Sequence, residues 1–305
     1  MPSPAVLLGA WLLDRILGEP PRYHPLNGFA LAATRIERHL NRPTRTEQAR
    51  RRAGMLATAT LVLPGIALAA VLAATPLGWA AELLLLYLCL GSRSLRDHAL
   101  AVAAPLARGE LTAAREAVGR IVSRDPRAMT PSETARASIE STLENGHDAV
   151  LATLFWFLVA GAPGAVAHRL VNTLDALWGY RSERFASFGL TAARVDDLLG
   201  WLPARLTALT YALLSLRIRT SWVVARNQAR HWPGPNPGVV LAAGAAALGV
   251  PLGGPATYSD GQRERPWLGD GPPATAADIE RSVALVERST WLWLTLAVIL
   301  GLITL

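Results

Sequence analysis

The residues of this sequence that could do chemistry begin with a run of acids at helical spacing. Thr130-Pro131-Ser132-Glu133 has the form of a helix start, with Thr130 as N-cap, Pro131 at the first position and Glu133 closing a capping box. The helix predicted from there carries Glu133, Glu140, Glu144 and Asp148. At 100° per residue the last three lie at about −20°, +20° and +60° from Glu133, so the four share one stripe. Asn145 lies beside it, and Asp148 leads straight into an apolar run. Such a stripe often does no more than meet water, and Glu133 suits a cap better than a ligand. Glu140, Glu144 and Asp148, converging at the edge of a membrane, could instead hold Mg²⁺, which takes few carboxylates plus substrate phosphates.

Other polar residues recur within apolar sequence. Asp14 and Arg15 end the first apolar segment, ahead of the loop Gly18-Glu19-Pro20-Pro21-Arg22-Tyr23-His24-Pro25. That loop is either an interfacial ion pair with a Pro-rich turn or a surface that faces substrate, since ionisable groups at membrane depth are costly. Arg169, Asn172 and Asp175 follow, with the last two on one helical face. Arg194 precedes Asp196-Asp197, a pair that cannot point at one spot from one helix. Arg205 closes Trp201-Leu202-Pro203-Ala204-Arg205, and Asn236 sits in the turn-rich 231–238 ahead of an apolar helix. Gly253-Gly254-Pro255 reads as another break.

The elements that must position these residues follow from composition. Of 305 residues 51% are hydrophobic and 17% charged, with a net charge of +7 and a mean hydropathy of +0.26. That is too apolar for a disordered or basic nucleic-acid-binding chain. The single Cys89 excludes a disulfide scaffold and a Cys-based zinc cluster. All 30 basic residues are Arg, so a Walker A loop, a Schiff base and a Lys general base are excluded. Residues 54–74 and 149–167 are uncharged and long enough to cross about 30 Å of hydrocarbon. Shorter candidates are 4–17, 79–91, 198–216, 238–252 and 290–305, and the second long run extends to 170 with Arg169 inside it. Trp79, Trp201, Trp291 and Trp293 lie near the ends of these runs, as in an aromatic belt. The fold class this predicts is all-α: a polytopic membrane helical bundle of one domain, with long amphipathic cytoplasmic helices, 92–148 foremost. The first segment lacks a basic n-region and is expected to remain in place rather than be cleaved.

Arg concentrates in 18–53, 92–148 and 217–288, which the positive-inside rule places in the cytoplasm. Residues 54–74 and 79–91 then form a hairpin turned at Pro76-Leu77-Gly78, and 290–305 leaves the cytoplasm. Simple alternation would put 172–199 outside, unless Gly161-Ala162-Pro163-Gly164 breaks the preceding run into a bent or re-entrant segment.

With these residues in place, the chain resembles the CobD/CbiB family of cobalamin-biosynthesis membrane proteins. The resemblance is carried by LLDRILGEPPRYHPLNG at 12–28, by RASIE, EN..D, NTLD, GYR, FG, ARxDD and WxPAR in order through 136–205, and by HWPGPNPG and RPWLGDG beyond. Residues 54–120 carry it least. The chain departs from the family's usual Asp-Gly at Asp148-Ala149, from Pro at Thr153, and from Ser-Pro-Asn-Ala-Gly at 234–238.

The resemblance implies an adenosylcobinamide-phosphate synthase: an ATP-dependent, amide-forming ligase of the bacterial inner membrane. It would join (R)-1-amino-2-propanol phosphate, or a related amino alcohol phosphate, to the propionate of adenosylcobyric acid, with ATP and Mg²⁺ as cofactors. Association with other cobalamin-assembly enzymes is a further implication, and nucleic acid is not a partner. On this reading Glu140, Glu144 and Asp148 hold Mg²⁺ or accept the amine proton, with Asp175 a further catalytic carboxylate. Arg124, Arg136 and Arg194 grip phosphate, with Asp125 and Arg205 beside them. Asp196 and Asp197 add carboxylates, while Asn145, Asn172 and Asn236 orient amides or phosphates. Asp14 and His24 line the entrance, and Trp156 and Trp178 pack the corrin. The alternative is an AmpE-like sensor or transport component that is not an enzyme, which would have no chemical need for the acids between 124 and 197.

Overall fold

In the computed structural model residues 3–20, 23–258 and 261–303 are described, so Pro21 and Arg22 of the expected entrance loop and the last two residues of the 290–305 run lie outside them. The chain divides into two compact units.

The first unit comprises 1–91, 152–200 and 294–305. It holds helices α1 (Pro4–Leu17), α2 (Pro25–Leu40), α3 (Glu47–Ala73) and α4 (Gly78–Cys89). It also holds α8 (Ala152–Trp178), the first part of α9 (Leu190–Leu214) and the end of α12 (Ala276–Ile303). Its core packs Ala57, Val62, Leu174, Trp178 and Phe188. Close approach is built into the sequence: a Cβ on Gly54 would stand 1.9 Å from the Phe188 carbonyl oxygen. The α3–α4 hairpin turns where predicted, and Gly78 permits it, because a Cβ there would meet the Ala73 oxygen at 2.0 Å.

Only 22% of the apolar window of α3 is covered by protein, and Leu56, Leu63, Leu68 and Val71 are exposed, as a helix facing lipid requires. Among the described residues three helical stretches are long and apolar enough to cross a membrane: Glu47–Ala73, Pro131–Trp178 and Ala276–Ile303. The shorter expected segments fare differently. Helices α1 and α4 have 14 and 12 residues, short of the ~20 that a span needs. The 198–216 run is the later part of α9, which also carries Arg194, Asp196 and Asp197. The break at 160–164 is real: Ala160 and Gly161 leave helical geometry, with Gly161 at φ +62°, so the uncharged run 149–167 is bent within α8.

The second unit comprises 92–151 and 201–293. The helical region expected over 92–148 consists of three helices, α5 (Ser92–Ala107), α6 (Leu111–Val118) and α7 (Pro131–Gly146), the last starting where its capping box predicts. Helix α7 is not an amphipathic surface helix, since Thr134–Leu143 is buried throughout. A π-helical turn, His147–Leu151, follows it. Helix α10 (Ile218–Gln228) leads to α11 (Pro237–Leu248), within the run expected to be a membrane segment. That expectation is corrected here: α11 has 12 residues, and Val240 to Ala246 are buried on every side, so it is a core helix, apolar all round because nothing around it is water. Gly244 lets it approach Leu143 of α7.

The chain is also not purely α. Two antiparallel ribbons stand where only a turn was expected: β1 (Leu252–Gly253) pairs with β4 (Trp267–Leu268), and β2 (Ala256–Tyr258) with β3 (Gly261–Arg263).

Candidate functional site

Helix α7 begins as its sequence dictates. Thr130 Oγ1 accepts from the Glu133 N–H at 3.3 Å, and Glu133 Oε2 accepts from the Thr130 N–H at 2.8 Å. From this fixed start Arg136, Glu140 and Glu144 recur every four residues on one face.

Glu140 lies at the centre of a cationic cluster and is 2% exposed. Its Oε1 accepts the Gly253 N–H at 2.7 Å, Arg265 donates to both oxygens at 3.0 and 3.3 Å, and Arg124 donates to Oε2. Arg124 and Arg265 supply the opposite charge that a carboxylate buried this deeply needs. Gly253 can reach it because its φ is +80°, and a Cβ there would meet the Pro266 oxygen at 2.1 Å.

The guanidiniums are held in turn. Arg265 lies 4.9 Å from the Trp232 ring and gives its Nε–H to the Gly254 oxygen at 3.2 Å. Arg124 is fixed by Tyr258 as well as Glu140. The Asp125 N–H donates to the Thr257 oxygen at 3.0 Å, tying the loop of Arg124 to β2. Ion pairing of both guanidiniums, with stacking of Arg265 as well, removes much of the rotamer freedom an arginine has, so these forks are set before any ligand arrives.

Arg124, Glu140, Glu144, Asn145, Trp232 and Arg265 line a cavity of about 300 Å³, at the small end for ligand pockets. The Asn145 amide donates to the Ser141 oxygen at 2.9 Å, and Ser141 Oγ to Ile121 O at 3.1 Å, which anchors the cavity wall. Glu144 and Asn145 are exposed, as groups that meet a ligand must be.

The expected three-carboxylate Mg²⁺ site does not assemble. Glu140 already accepts from two guanidiniums and a backbone N–H. Asp148 lies within the π-turn His147–Leu151, where the 100° spacing does not apply, and it does not line the cavity. Among the described residues no group of three His, Cys, Asp or Glu side chains is arranged for a metal ion. The donor set fits an anion, not a resident cation.

The other expected residues divide between the units. In the second unit Asp125 pairs with Arg127 at 2.6 Å, and Arg136 lies 4.7 Å from the Trp267 ring. Arg205 donates to Asn236 Oδ1 at 2.9 Å and stacks on Trp201 at 4.4 Å. That pair positions the loop whose Trp232, Pro233 and Pro237 line the cavity. In the first unit Arg169 donates to Asn172 Oδ1 at 3.2 Å, and Asn172 to Asp196 Oδ1 at 3.4 Å. Asp197 faces Arg194, Arg181 and Asp175, so the two adjacent acids do split between partners. Asp14 is fully buried beside Tyr87, whose hydroxyl donates to the Gly18 oxygen at 2.7 Å. His24 caps α2, accepting the Leu26 N–H at 3.2 Å. Trp178 is corrected: it is 2% exposed and packs edge-on against Phe188 at 5.0 Å, so it offers no face to a ligand. Trp156 donates its ring N–H to the Leu199 oxygen at 2.9 Å.

Sequence reasoning missed Arg265, Tyr258, Trp232 and the Gly253 N–H as parts of the site. Gly-Gly-Pro and the arginines near 265 were the available signals, yet nothing local says that two short ribbons fold them over α7.

A family model described as "CobD/Cbib protein" matches residues 7–286. A Chromobacterium violaceum protein named "Cobalamin biosynthesis protein CobD" is 53% identical over 292 residues, covering 94% of this chain and 93% of its own. Proteins of the same name from Stutzerimonas stutzeri and Rhodobacter capsulatus are 52% and 39% identical, covering 94% and 93% of this chain and 94% and 93% of their own. No solved structure matches the chain.

Proposed function

Because the chain belongs to the CobD/CbiB family, we propose that its arginine-lined cavity holds an amino alcohol phosphate for amide-bond formation. The chain acts in cobalamin biosynthesis, the role named for its relatives, and the amide-forming step is the family's known role. The reaction joins (R)-1-amino-2-propanol phosphate, or a related amino alcohol phosphate, to the propionate of adenosylcobyric acid in a multi-pass protein of the bacterial cytoplasmic membrane.

One observation carries the reading: two buried guanidiniums, one of them stacked on Trp232, held by a single carboxylate beside a small open cavity. Each guanidinium has five N–H donors. Arg265 gives three of them to Glu140 and Gly254, which leaves two for the oxygens of a phosphate. With Arg124 beside it, the pair can bind phosphate in the two-pronged manner that Lys cannot, in a chain without Lys. Glu144 and Asn145 stand in the same cavity. The ammonium of the bound substrate must lose a proton before nitrogen attacks the activated carboxyl carbon, and Glu144 is the carboxylate placed to take it. Nitrogen then forms the amide bond as the activating group leaves with its electron pair. ATP and Mg²⁺, when bound, would supply carboxylate activation and charge neutralisation; the steps assigned to this chain are binding, orientation and proton acceptance.

The test is product formation by the purified protein from adenosylcobyric acid, the amino alcohol phosphate, ATP and Mg²⁺, read by mass spectrometry. Arg124→Gln should raise the KM for the amino alcohol phosphate at least tenfold, and Glu144→Gln should lower kcat by about 10²-fold, the usual scale of a proton-transfer role. Wild-type kinetics in both variants would overturn the reading.

A further inference from the structure

We propose that the second unit has a second oxyanion site, a small cavity bordered by Arg124 whose binding group is Arg136 and whose occupant is a phosphate. The cavity measures about 80 Å³ and is lined by Arg124, Arg136, Glu133, Ala128, Pro255 and Thr257, among others. Arg124 also lines the larger cavity, so the two sites share one guanidinium.

Arg136 is 9% exposed, and its Nε is buried with no hydrogen-bond partner. A buried guanidinium N–H without an acceptor is costly, and Arg cannot shed its charge to escape the cost. Its remaining contacts are weak. Nη2 lies 3.5 Å from the Pro255 oxygen and 3.9 Å from Glu133 Oε1, and the guanidinium is 4.7 Å from the Trp267 ring centre. Stacking on Trp267 fixes the plane of the fork without using any of its donors.

The two acids on this cavity do not cancel the charge. Asp125 accepts from the Arg127 Nε, Nη2 and backbone N–H groups at 2.6 to 3.1 Å, and Glu133 accepts the Thr130 N–H and hydroxyl at 2.8 Å each. Glu140 is shared between Arg124 and Arg265. Four guanidiniums therefore face three carboxylates that already have partners, and the deficit falls at Arg136. A cavity this size admits a few waters or one small oxyanion and nothing larger. The site stands on these residues and does not rest on the ligase reading.

The experiment titrates the full chain in detergent with inorganic phosphate at constant ionic strength, following ³¹P relaxation, with acetate and sulfate in parallel arms. Wild type should bind phosphate in two classes of site. Ala128→Trp, which plugs the exposed mouth without touching a charge, and Arg136→Gln should each abolish one class and leave the other. Arg136→Lys, which keeps the charge but loses the fork, should weaken that class at least tenfold. Sulfate competing as well as phosphate supports a tetrahedral oxyanion site; acetate competing alone would overturn phosphate as the occupant. Two undiminished classes in Ala128→Trp, or a single wild-type class that Ala128→Trp and Arg136→Gln both leave intact, would overturn the site itself; a single class that both variants abolish would instead count against phosphate in the larger cavity. Ala128 is exposed, so its variant decides the matter even if Arg136→Gln does not fold.

Discussion

Replacing Glu140 by Gln tests the organisation of the site most directly. The substitution keeps the shape and removes one charge from a position 2% exposed, where Arg124, Arg265 and the Gly253 N–H all donate to it. Arg124 and Arg265 have side chains 10% and 9% exposed, so the variant leaves two buried cations side by side with no carboxylate between them. Breaking a buried ion pair by removing one partner costs about 3–5 kcal/mol. A second-unit-sized domain shifts in melting temperature by roughly 2–4 °C per kcal/mol, so E140Q should melt roughly 6–20 °C below wild type in detergent. Added phosphate should restore part of the loss, because it supplies the missing negative charge. A metal ligand at this position would behave differently, with the variant raising the Mg²⁺ requirement and leaving the phosphate KM alone. E140Q melting within about 1 °C of wild type, or shifting only Mg²⁺ dependence, would refute the clamp; a 1 °C shift is worth well under 1 kcal/mol here.

Two further substitutions probe the frame. Gly253→Ala combines φ +80° with a Cβ 2.1 Å from the Pro266 oxygen, so it should cost at least about 1–3 kcal/mol and lower phosphate affinity by displacing the N–H that holds Glu140; unchanged melting and binding would refute that link. In the first unit Arg184 donates to both oxygens of Glu37 at 3.0 and 2.6 Å, and Glu37 is 2% exposed. Arg184→Met should destabilise by about 1–3 kcal/mol in thermal melts, with Glu37→Gln in the same background recovering part of it.

Much of the scaffold was legible. The capping box at Thr130, the α3–α4 hairpin and the break at Gly161 follow from local chemistry: a side chain that satisfies the first N–H groups, a glycine that permits a tight turn, and a Gly-Pro pair that interrupts a helix. Glu140, Glu144 and Asn145 were singled out by type and spacing and Arg124 through the family resemblance, and all four line one cavity. The role of Glu140 was not legible, because spacing shows that acids share a helix face and not which cations fold onto it. Asp148 was placed by a 3.6-residue count, but it lies in a π-turn that such a count does not show, and outside the lining of the cavity. Helix α11 was read as membrane because a buried helix and a spanning helix have the same apolar composition and differ only in length and surroundings.

The sequence by itself determined the family, the apolar stretches, where the principal helices start and break, and that any side-chain cation offered to a phosphate is Arg, in a chain without Lys. Those are properties of neighbours along the chain and of residue inventory. Tertiary structure decided that α7 is buried, that the Gly253 N–H of β1 and Arg265 of the link between β3 and β4 arrive from more than a hundred residues later, and that an acid suited to a metal instead ties two guanidiniums together. A carboxylate's chemistry is set by the charges that surround it after burial, and those charges lie far away in the sequence.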